Sequence, residues 1–347
     1  MITSDEKYMQ RCLQLAKNGG QDVAPNPMVG CVIVHKGKII GEGYHRKYGE
    51  AHAEVNAINS IKNQEVLKDS TLYVNLEPCA HHGKTPPCSD LIVEKQIPRV
   101  VIGSKDINSL VAGKGIERMQ KAGIEVVTGI LEEESKELNK RFFTFHAKKR
   151  PYVILKWAET IDGYIDIDRS DSDKGIRWIT HPLLRVVVHK WRSEESGIMV
   201  GTKTAENDDP GLDTRLWSGK SPLRFVIDRE LKLPRDLKLF DGKIPTVVFT
   251  GKDRADEHNL RYVKIDFSKN TLGQMLREMY EMEIQSLIVE GGASLLNSFI
   301  KSGLWDEARV FVGNKTFGGG VKGPVIAKPM TNFCQFGQDR ILYFHNR

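Results

Sequence analysis

His52-Ala53-Glu54, answered further along by Glu77-Pro78-Cys79 and then Cys88, constrains this chain more than any other feature in it. One imidazole and two thiols are three of the four donors that would close a structural zinc site, so the fourth position is left for water. Glu54, two residues from His52, is a carboxylate that need not ligate and can move protons. Residues at i and i+2 lie about 200° apart around a helix. His52 and Glu54 can therefore serve one metal only if His52 sits where a helix begins. The thiols have the same preference, because the positive end of a helix favours thiolate. The two ligand groups are thus expected at the starts of neighbouring helices.

The first half supplies such helices. Ser4 or Asp5 can cap a helix whose apolar positions, Met9, Cys12, Leu13 and Ala16, recur at helical spacing. Residues 29–34 and 38–43 read as a hairpin turned at Lys36-Gly37. A helix is expected over 51–61, a strand over 71–75, a helix over 90–96 and a strand over 99–103. A helix over 114–122, a strand over 124–127 and a helix over 131–145 follow. Helices alternating with strands predict an α/β sandwich around one sheet, in a first domain spanning 1–147.

At 347 residues the chain has room for a second domain with its own core. The net charge of +6 is spread along the chain, and the densest basic run is Lys148-Lys149-Arg150, just before Pro151. That run reads as a solvated linker and not as the clustered stripe that tracks phosphates, so nucleic acid is not the expected partner. A mild positive excess suits a small anionic substrate or cofactor. Five cysteines, at 12, 31, 79, 88 and 334, are too few and too scattered for a disulfide framework. The N-terminus has no secretory pattern and no run reaches about 18 apolar residues, so a cytoplasmic enzyme without membrane contact is expected.

The second domain, expected over 151–347, opens with a strand at 152–158 and a turn at Asp162-Gly163. A polar loop over 166–175 leads to a helix from Thr180 through Arg192 and a buried strand over 196–201. Further strands are expected at 224–227, 246–250 and 287–290, the last running into Gly291-Gly292 and a helix over 294–301. Glycines before a helix start can cradle phosphate, and residues 313–320 form a second glycine-rich turn. Neither place is G-x-G-x-x-G, and a plain tight turn also accounts for both.

The order His-x-Glu, then Pro-Cys, then Cys is that of zinc-dependent deaminases of nucleobase-type rings. It points to hydrolytic removal of an amino group from a heterocycle. Most such enzymes have two residues between the cysteines, whereas here the whole segment Ala80-His81-His82-Gly83-Lys84-Thr85-Pro86-Pro87 intervenes. Its histidines and lysine suit an anionic or polar substrate, or belong to a surface loop that is merely basic.

Asn26-Pro27…Val29-Gly30, His45…Gly49-Glu50-Ala51-His52-Ala53-Glu54 and the long, lysine-bearing Glu77-to-Cys88 stretch resemble the bifunctional deaminase/reductases of bacterial riboflavin biosynthesis. The likeness continues through Lys156-x-Ala158…Asp162-Gly163, Trp178-Ile179-Thr180, Val200-Gly201-x-x-Thr204…Asp208-Asp209-Pro210-x-Leu212 and Val289-Glu290-Gly291-Gly292, and so covers essentially the whole chain. The resemblance implies a cytidine-deaminase-like α/β/α sandwich followed by a dihydrofolate-reductase-like α/β domain that uses NADPH. It implies zinc on His52, Cys79 and Cys88, with Glu54 as proton shuttle. Asn26, His45, His81 and Lys84 would hold the pyrimidine and its ribose phosphate.

In the second domain the resemblance places NADPH against Ala158, Trp178, Thr204, Asp208 and a 292–298 turn made of Gly292, Ala293, Ser294, Leu295, Leu296, Asn297 and Ser298. It places the phosphoribosyl substrate against Arg192, Leu212, Arg215 and Glu290, where the two guanidinium groups suit bidentate pairing with phosphate. The implied activities are deamination of a diaminopyrimidinone carrying ribosylamino phosphate and then reduction of its ribosyl group to ribityl. Lys156 and Asp208 are candidate proton donors for the reduction, and a structurally paired buried lysine fits the first equally well. Such folds often pair, so a homo-oligomer is expected.

The chain departs from its relatives at Ile107 and Ser109, where they usually carry proline, and at Ile176, where they usually carry serine. The rival readings are a nucleoside or nucleic-acid deaminase with an unrelated second domain, and a zinc-stabilised binding protein that senses dinucleotide. The first lacks support from any basic-aromatic stripe. The second needs a closed four-ligand metal site.

Overall fold

The structure, a computed structural model, describes residues 3–80, 86–107, 112–170 and 173–346. The chain forms two compact units, Met1–Lys148 and Lys149–Arg347.

The first unit runs α1 (Ser4–Ala16), β1 (Gly30–His35), β2 (Lys38–Tyr44), α2 (Ala53–Asn59), β3 (Ser70–Leu76), α3 (Cys88–Glu94), β4 (Arg99–Ser104), α4 (Lys114–Lys121), β5 (Glu125–Thr128), α5 (Glu132–Leu138) and α6 (Lys140–Lys148). Its sheet has the order β2-β1-β3-β4-β5, antiparallel through β3 and parallel from there to β5. Lys36 and Gly37 both have positive φ, 47° and 75°, which is the turn that matches the twist of a two-residue hairpin. One face packs Ile33, Leu72, Val74 and Ile102 against Ala57, Ile58, Ile92 and Met119. The other packs Val32, Val34, Tyr73 and Val101 against Met9, Cys12 and Leu15 of α1.

Two sequence expectations are corrected here. The cap of α1 is Thr3, whose hydroxyl accepts from Glu6 N at 3.2 Å while Glu6 accepts from Thr3 N at 2.7 Å. Asp5 is instead drawn away to Tyr73 and Arg99. The helix expected over 131–145 is two helices broken at Asn139, whose amide pairs with both backbone groups of Met28 at 2.8 and 2.9 Å. That pairing fixes the loop carrying Asn26, and Asn75 adds a bond to the carbonyl of Met28 and one from Gly30 N.

The second unit runs β6 (Tyr152–Thr160), β7 (Tyr164–Asp166), α7 (Leu184–Ser193), β8 (Gly197–Val200), α8 (Thr202–Asp208), β9 (Leu223–Ile227), β10 (Thr246–Thr250), β11 (Leu260–Lys264), α9 (Thr271–Glu281), β12 (Ser286–Val289), α10 (Ala293–Ser302), β13 (Glu307–Gly313), β14 (Val321–Lys322), β15 (Met330–Phe336) and β16 (Asp339–His345). Its main sheet has the order β11-β10-β9-β8-β12-β6-β13-β16-β15, parallel through β13 and closed at one edge by the antiparallel β15–β16 hairpin. Apolar clusters cover both faces, around Phe225, Phe249, Leu287 and Phe299 on one and around Ile154, Ile198, Val226 and Phe311 on the other. The late strand β12 lies between β8 and β6, so chain order breaks there. A crevice beyond the carboxyl ends of such strands is where open α/β sheets bind ligands.

Candidate active sites

In the first unit His52 is the residue before α2, in extended conformation at φ −70°, ψ 166°. Its ring therefore leaves the chain just ahead of the helix, and Glu54 lies buried in the first turn. The close fit of α2 on β2 depends on Gly43, where a Cβ would sit 2.4 Å from Ala57 N. Cys88 is the first residue of α3, and its N–H donates to Cys79 Sγ at 3.3 Å. His52 Nδ1 lies 3.6 Å from Cys79 Sγ and 3.3 Å from Cys88 Sγ.

These three ligand atoms lie within 4.8 Å of one another. Zinc–sulfur and zinc–nitrogen bonds of about 2.3 and 2.0 Å in a tetrahedron put nitrogen and sulfur about 3.6 Å apart. The donor set therefore fits zinc. The electrostatics agree. A hydrogen bond from the Cys88 thiol, against the cost of burial, lowers the Cys79 thiol below its ordinary value, which favours the thiolate that zinc takes. Burial pushes the Glu54 carboxyl up, which suits a group that must take and return a proton.

Around this centre His45 is buried, with Nδ1 3.1 Å from the carbonyl of Ala51 and Nε2 3.1 Å from Asn26 Nδ2. A carbonyl can only accept, so Nδ1 carries the proton and Nε2 accepts from the Asn26 amide. That is the neutral tautomer, and burial lowers the affinity of His45 for a second proton. The ring stands edge-on to His52 at 5.3 Å, so His45, with Asn26 bonded to it, lies beside the metal ligands. His81 and Lys84 lie outside the described residues, as does Ser109.

One residue carries more of this site than its sequence reading suggests. Glu77 is buried, and among the described residues its carboxylate accepts from the backbone N–H groups of Asp106 at 3.2 Å, Gly113 at 3.0 Å, Gly115 at 3.1 Å and Ile116 at 3.3 Å. It ties the Glu77-Pro78-Cys79 turn to the segment entering α4. Gly115 is obligatory in that contact, because a Cβ there would lie 2.1 Å from the carbonyl oxygen of Pro78. A carboxylate at a strand end before Pro-Cys was the available signal.

In the second unit a cavity of about 470 Å³ opens at the carboxyl ends of β6, β8 and β12. It is lined by Ala158, Trp178, Thr204, Asp208 and Gly292 to Ser294 on the expected cofactor side, and by Arg192, Leu212, Arg215 and Glu290 on the expected substrate side. Gly292 precedes α10 without a side-chain cap, and its N–H donates to Thr204 Oγ1 at 2.8 Å. First-turn N–H groups at such an end attract phosphate, and a Cβ on Gly292 would lie 3.2 Å from Thr204 Oγ1. This uncapped, glycine-lined end fits the phosphates of a dinucleotide. Gly292 stands just before the helix, and 293–298 is helix and not turn; Leu295 and Leu296 pack into the core, and Asn297 and Ser298 do not line the cavity.

The substrate side is a charge network. Arg192 pairs with both oxygens of Glu290 and donates to the carbonyl of Asp213 at 3.0 Å. Its fork, expected for phosphate, is already engaged by Glu290, whereas Arg215 pairs, among the described residues, with Asp213 and stays half exposed. Lys156 Nζ lies 3.4 Å from Glu290 Oε2, and burial lowers its proton affinity. Burial would raise Glu290, but Arg192 and Lys156 outweigh it and hold the carboxyl down at about 2. Ile176, where the relatives usually carry serine, and His189, Arg185 and Lys203, which the sequence did not single out, also line the cavity.

Sequence comparison matches residues 2–104 to the cytidine and deoxycytidylate deaminase zinc-binding region and residues 151–338 to the RibD C-terminal domain. The riboflavin biosynthesis protein RibD of Aquifex aeolicus is 42% identical over 322 residues, covering 91% of this chain and 89% of that protein. RibD of Escherichia coli is 35% identical over 337 residues, covering 92% and 90%. Among solved structures, the diaminohydroxyphosphoribosylaminopyrimidine deaminase/5-amino-6-(5-phosphoribosylamino)uracil reductase of Thermotoga maritima superposes with a TM-score of 0.89 at 37% identity, over 99% and 98% of the two chains. RibD of Acinetobacter baumannii follows at 0.87 and 31% identity, over 99% of each chain.

Proposed function

The chain belongs to the RibD family of riboflavin-biosynthesis proteins, a bifunctional deaminase and reductase, and from that premise we propose how its own residues divide the work. The substrate of the first site is the diaminopyrimidine carrying phosphoribosylamine that the Thermotoga relative is named for, and the second site reduces the ribosyl group of the deaminated product. The observation that carries this reading is the convergence of His52, Cys79 and Cys88 on one point with buried Glu54 beside it.

Zinc held by those three residues supplies Lewis acidity that brings the pKa of water to about 7. Glu54 accepts a proton from the attacking water and delivers it to the departing amino group. Asn26 and neutral His45 orient the pyrimidine, with His81 and Lys84 completing the set toward the ribose phosphate. The domains divide as 1–147 and 151–347.

NADPH bound in the second cavity supplies the hydride. The first-turn N–H groups of α10 would hold its phosphates, and Ala158, Trp178, Thr204 and Asp208 would line the rest of its site. Both proton-donor candidates line the cavity; Lys156 fits better, because Asp208 is engaged by Arg169 and burial makes the Lys156 ammonium readier to release a proton. Glu290 positions that ammonium, and Arg215 meets the phosphate. No helix among the described residues is long and apolar enough to cross a membrane; with its unpaired cysteines, this supports a cytoplasmic enzyme on a small-molecule substrate. The edge strand β15, with Phe333 and Phe336 exposed, supports association with further copies of the chain.

The test follows NADPH oxidation by absorbance when the zinc-loaded protein meets the diaminopyrimidine substrate. Glu54→Gln should abolish oxidation and ammonia release together, and pre-deaminated substrate should restore oxidation. A Glu54→Gln protein that still releases ammonia would overturn the assignment.

A further inference from the structure

The loop after β7 holds a buried arginine that the functional reading has not used. Arg169 sits in a run rich in acids, Asp166, Asp168, Asp171 and Asp173, and its side chain is only 8% exposed. Its guanidinium donates through Nε to Asp166 Oδ2 at 2.6 Å and through Nη2 to Asp208 Oδ1 at 2.8 Å. Nη1 turns to two carbonyls, Gly175 at 2.9 Å and Asp173 at 3.4 Å. The N–H of Gly175 in turn donates to the carbonyl of Asn207, beside Asp208, at 2.7 Å. One side chain therefore joins the stretch leading to Ile176, Arg177 and Trp178 to the end of α8.

Both joined parts line the reductase cavity. Asp208 has one oxygen held by Arg169, and among the described residues no donor reaches the other. A carboxylate held by one oxygen and open at the other is a fixed acceptor for an N–H or O–H group of a ligand. Without Arg169 the largely buried Asp208 would lose its charge-assisted bond, and the Ile176–Trp178 wall its anchor.

We propose that Arg169 is a positioning residue for NADPH: through Asp208 and the carbonyls of Asp173 and Gly175 it fixes the acceptor and the wall that receive the cofactor. The inference rests on the reading above that Asp208 faces NADPH. It acts on cofactor affinity and leaves the chemical step alone, because Arg169 touches neither Lys156 nor Glu290.

Calorimetric titration with NADPH tests it on the full-length protein, alongside steady-state kinetics on pre-deaminated substrate. Arg169→Met should weaken the Kd for NADPH by about tenfold, the size of one lost charge-assisted hydrogen bond. KM for NADPH should rise in step, with kcat at saturation kept within about twofold. Arg169→Lys, which can keep the Asp208 contact, should recover part of the loss. Tryptophan fluorescence, which reads the second unit because all five tryptophans lie there, should keep its native emission in the same samples, which shows that this unit is folded.

Asp208→Asn separates the proposal from the reading beneath it. If Asp208→Asn leaves the Kd unchanged, the cofactor reading of Asp208 fails. If it weakens binding while Arg169→Met does not, the positioning role fails. If both weaken binding, the double variant should bind no worse than the worse single one, since both changes break one coupled unit. Fully additive losses, or a fall in kcat without a change in Kd, would reduce Arg169 to a structural tie.

Discussion

Arg192 and Glu290 form a two-pronged pair in the wall of the reductase cavity, Nε to Oε1 at 2.8 Å and Nη2 to Oε2 at 2.9 Å. The pair is buried, and removing one member leaves the other charged in a site that cannot solvate it. Arg192→Met should therefore destabilise the second unit by about 3–5 kcal/mol. All five tryptophans, at 157, 178, 191, 217 and 305, lie in that unit, so their fluorescence during urea unfolding reads it selectively. NADPH oxidation should be lost and ammonia release kept. A fluorescence midpoint unmoved by the substitution would show that Arg192 is dispensable to the fold.

The same neighbourhood predicts an acid-labile second unit. Burial, reinforced by the charges of Arg192 and Arg215, pushes His189 down to about 4. Unfolded, the ring would titrate near about 6.5, so between those values the unfolded chain binds the extra proton. Stability from His189 is thus complete above pH 6.5 or so and falls as pH drops toward about 4. Glu290, held at about 2, adds a second loss that begins only below its ordinary value of about 4.3. The thermal midpoint read by tryptophan fluorescence should decline from about pH 6.5 downward, and His189→Gln should flatten the part above about pH 5. An equal decline in His189→Gln would assign the acid sensitivity to other groups.

The zinc site was legible in the sequence because its chemistry is local: a ligand and a carboxylate two residues apart demand a helix start, and the structure places His52 there. The strands were legible for a similar reason, as β3, β4, β6 and β10 are short apolar runs between turns. What the sequence hid depends on partners far along the chain. Asn139 breaks a helical pattern only because Met28 offers it both backbone groups. Glu77 is anchored by N–H groups about thirty or more positions away. Arg192 reads in the sequence as a phosphate ligand, and no periodicity foretells that β12 also brings Glu290 to it.

Glu77 should prove a support of the zinc site without touching the metal. Glu77→Gln keeps shape but replaces an acceptor by an amide nitrogen, which cannot receive the N–H groups that one carboxylate oxygen now takes. Two buried N–H groups left unpaired cost about 2–4 kcal/mol together. The variant should hold zinc more weakly in competition with a chromogenic chelator, and its ammonia release should fall in proportion to zinc lost. Gly115→Ala should do the same by a different route, since the added methyl displaces the carbonyl of Pro78 next to Cys79. Unchanged zinc affinity in both variants would show that the Pro78-Cys79 turn holds itself.

Removing the metal should part the two activities. The ligand atoms of His52, Cys79 and Cys88 all belong to the first unit, and the cavity with Lys156, Glu290 and the α10 start belongs wholly to the second. The cavity-lining acids Glu290, Asp208 and Asp166 are each paired with an arginine, and among the described residues they form no second metal-ligand cluster. Dialysis against a chelator should therefore abolish ammonia release while NADPH oxidation on pre-deaminated substrate continues at its original rate. Zinc added back should restore deamination, and Cys88→Ser should need a higher zinc concentration to reach the same rate, because a hydroxyl is a poorer zinc donor than a thiolate. If NADPH oxidation falls together with ammonia release, the reductase also depends on metal, and the division of labour between the two halves would have to be redrawn.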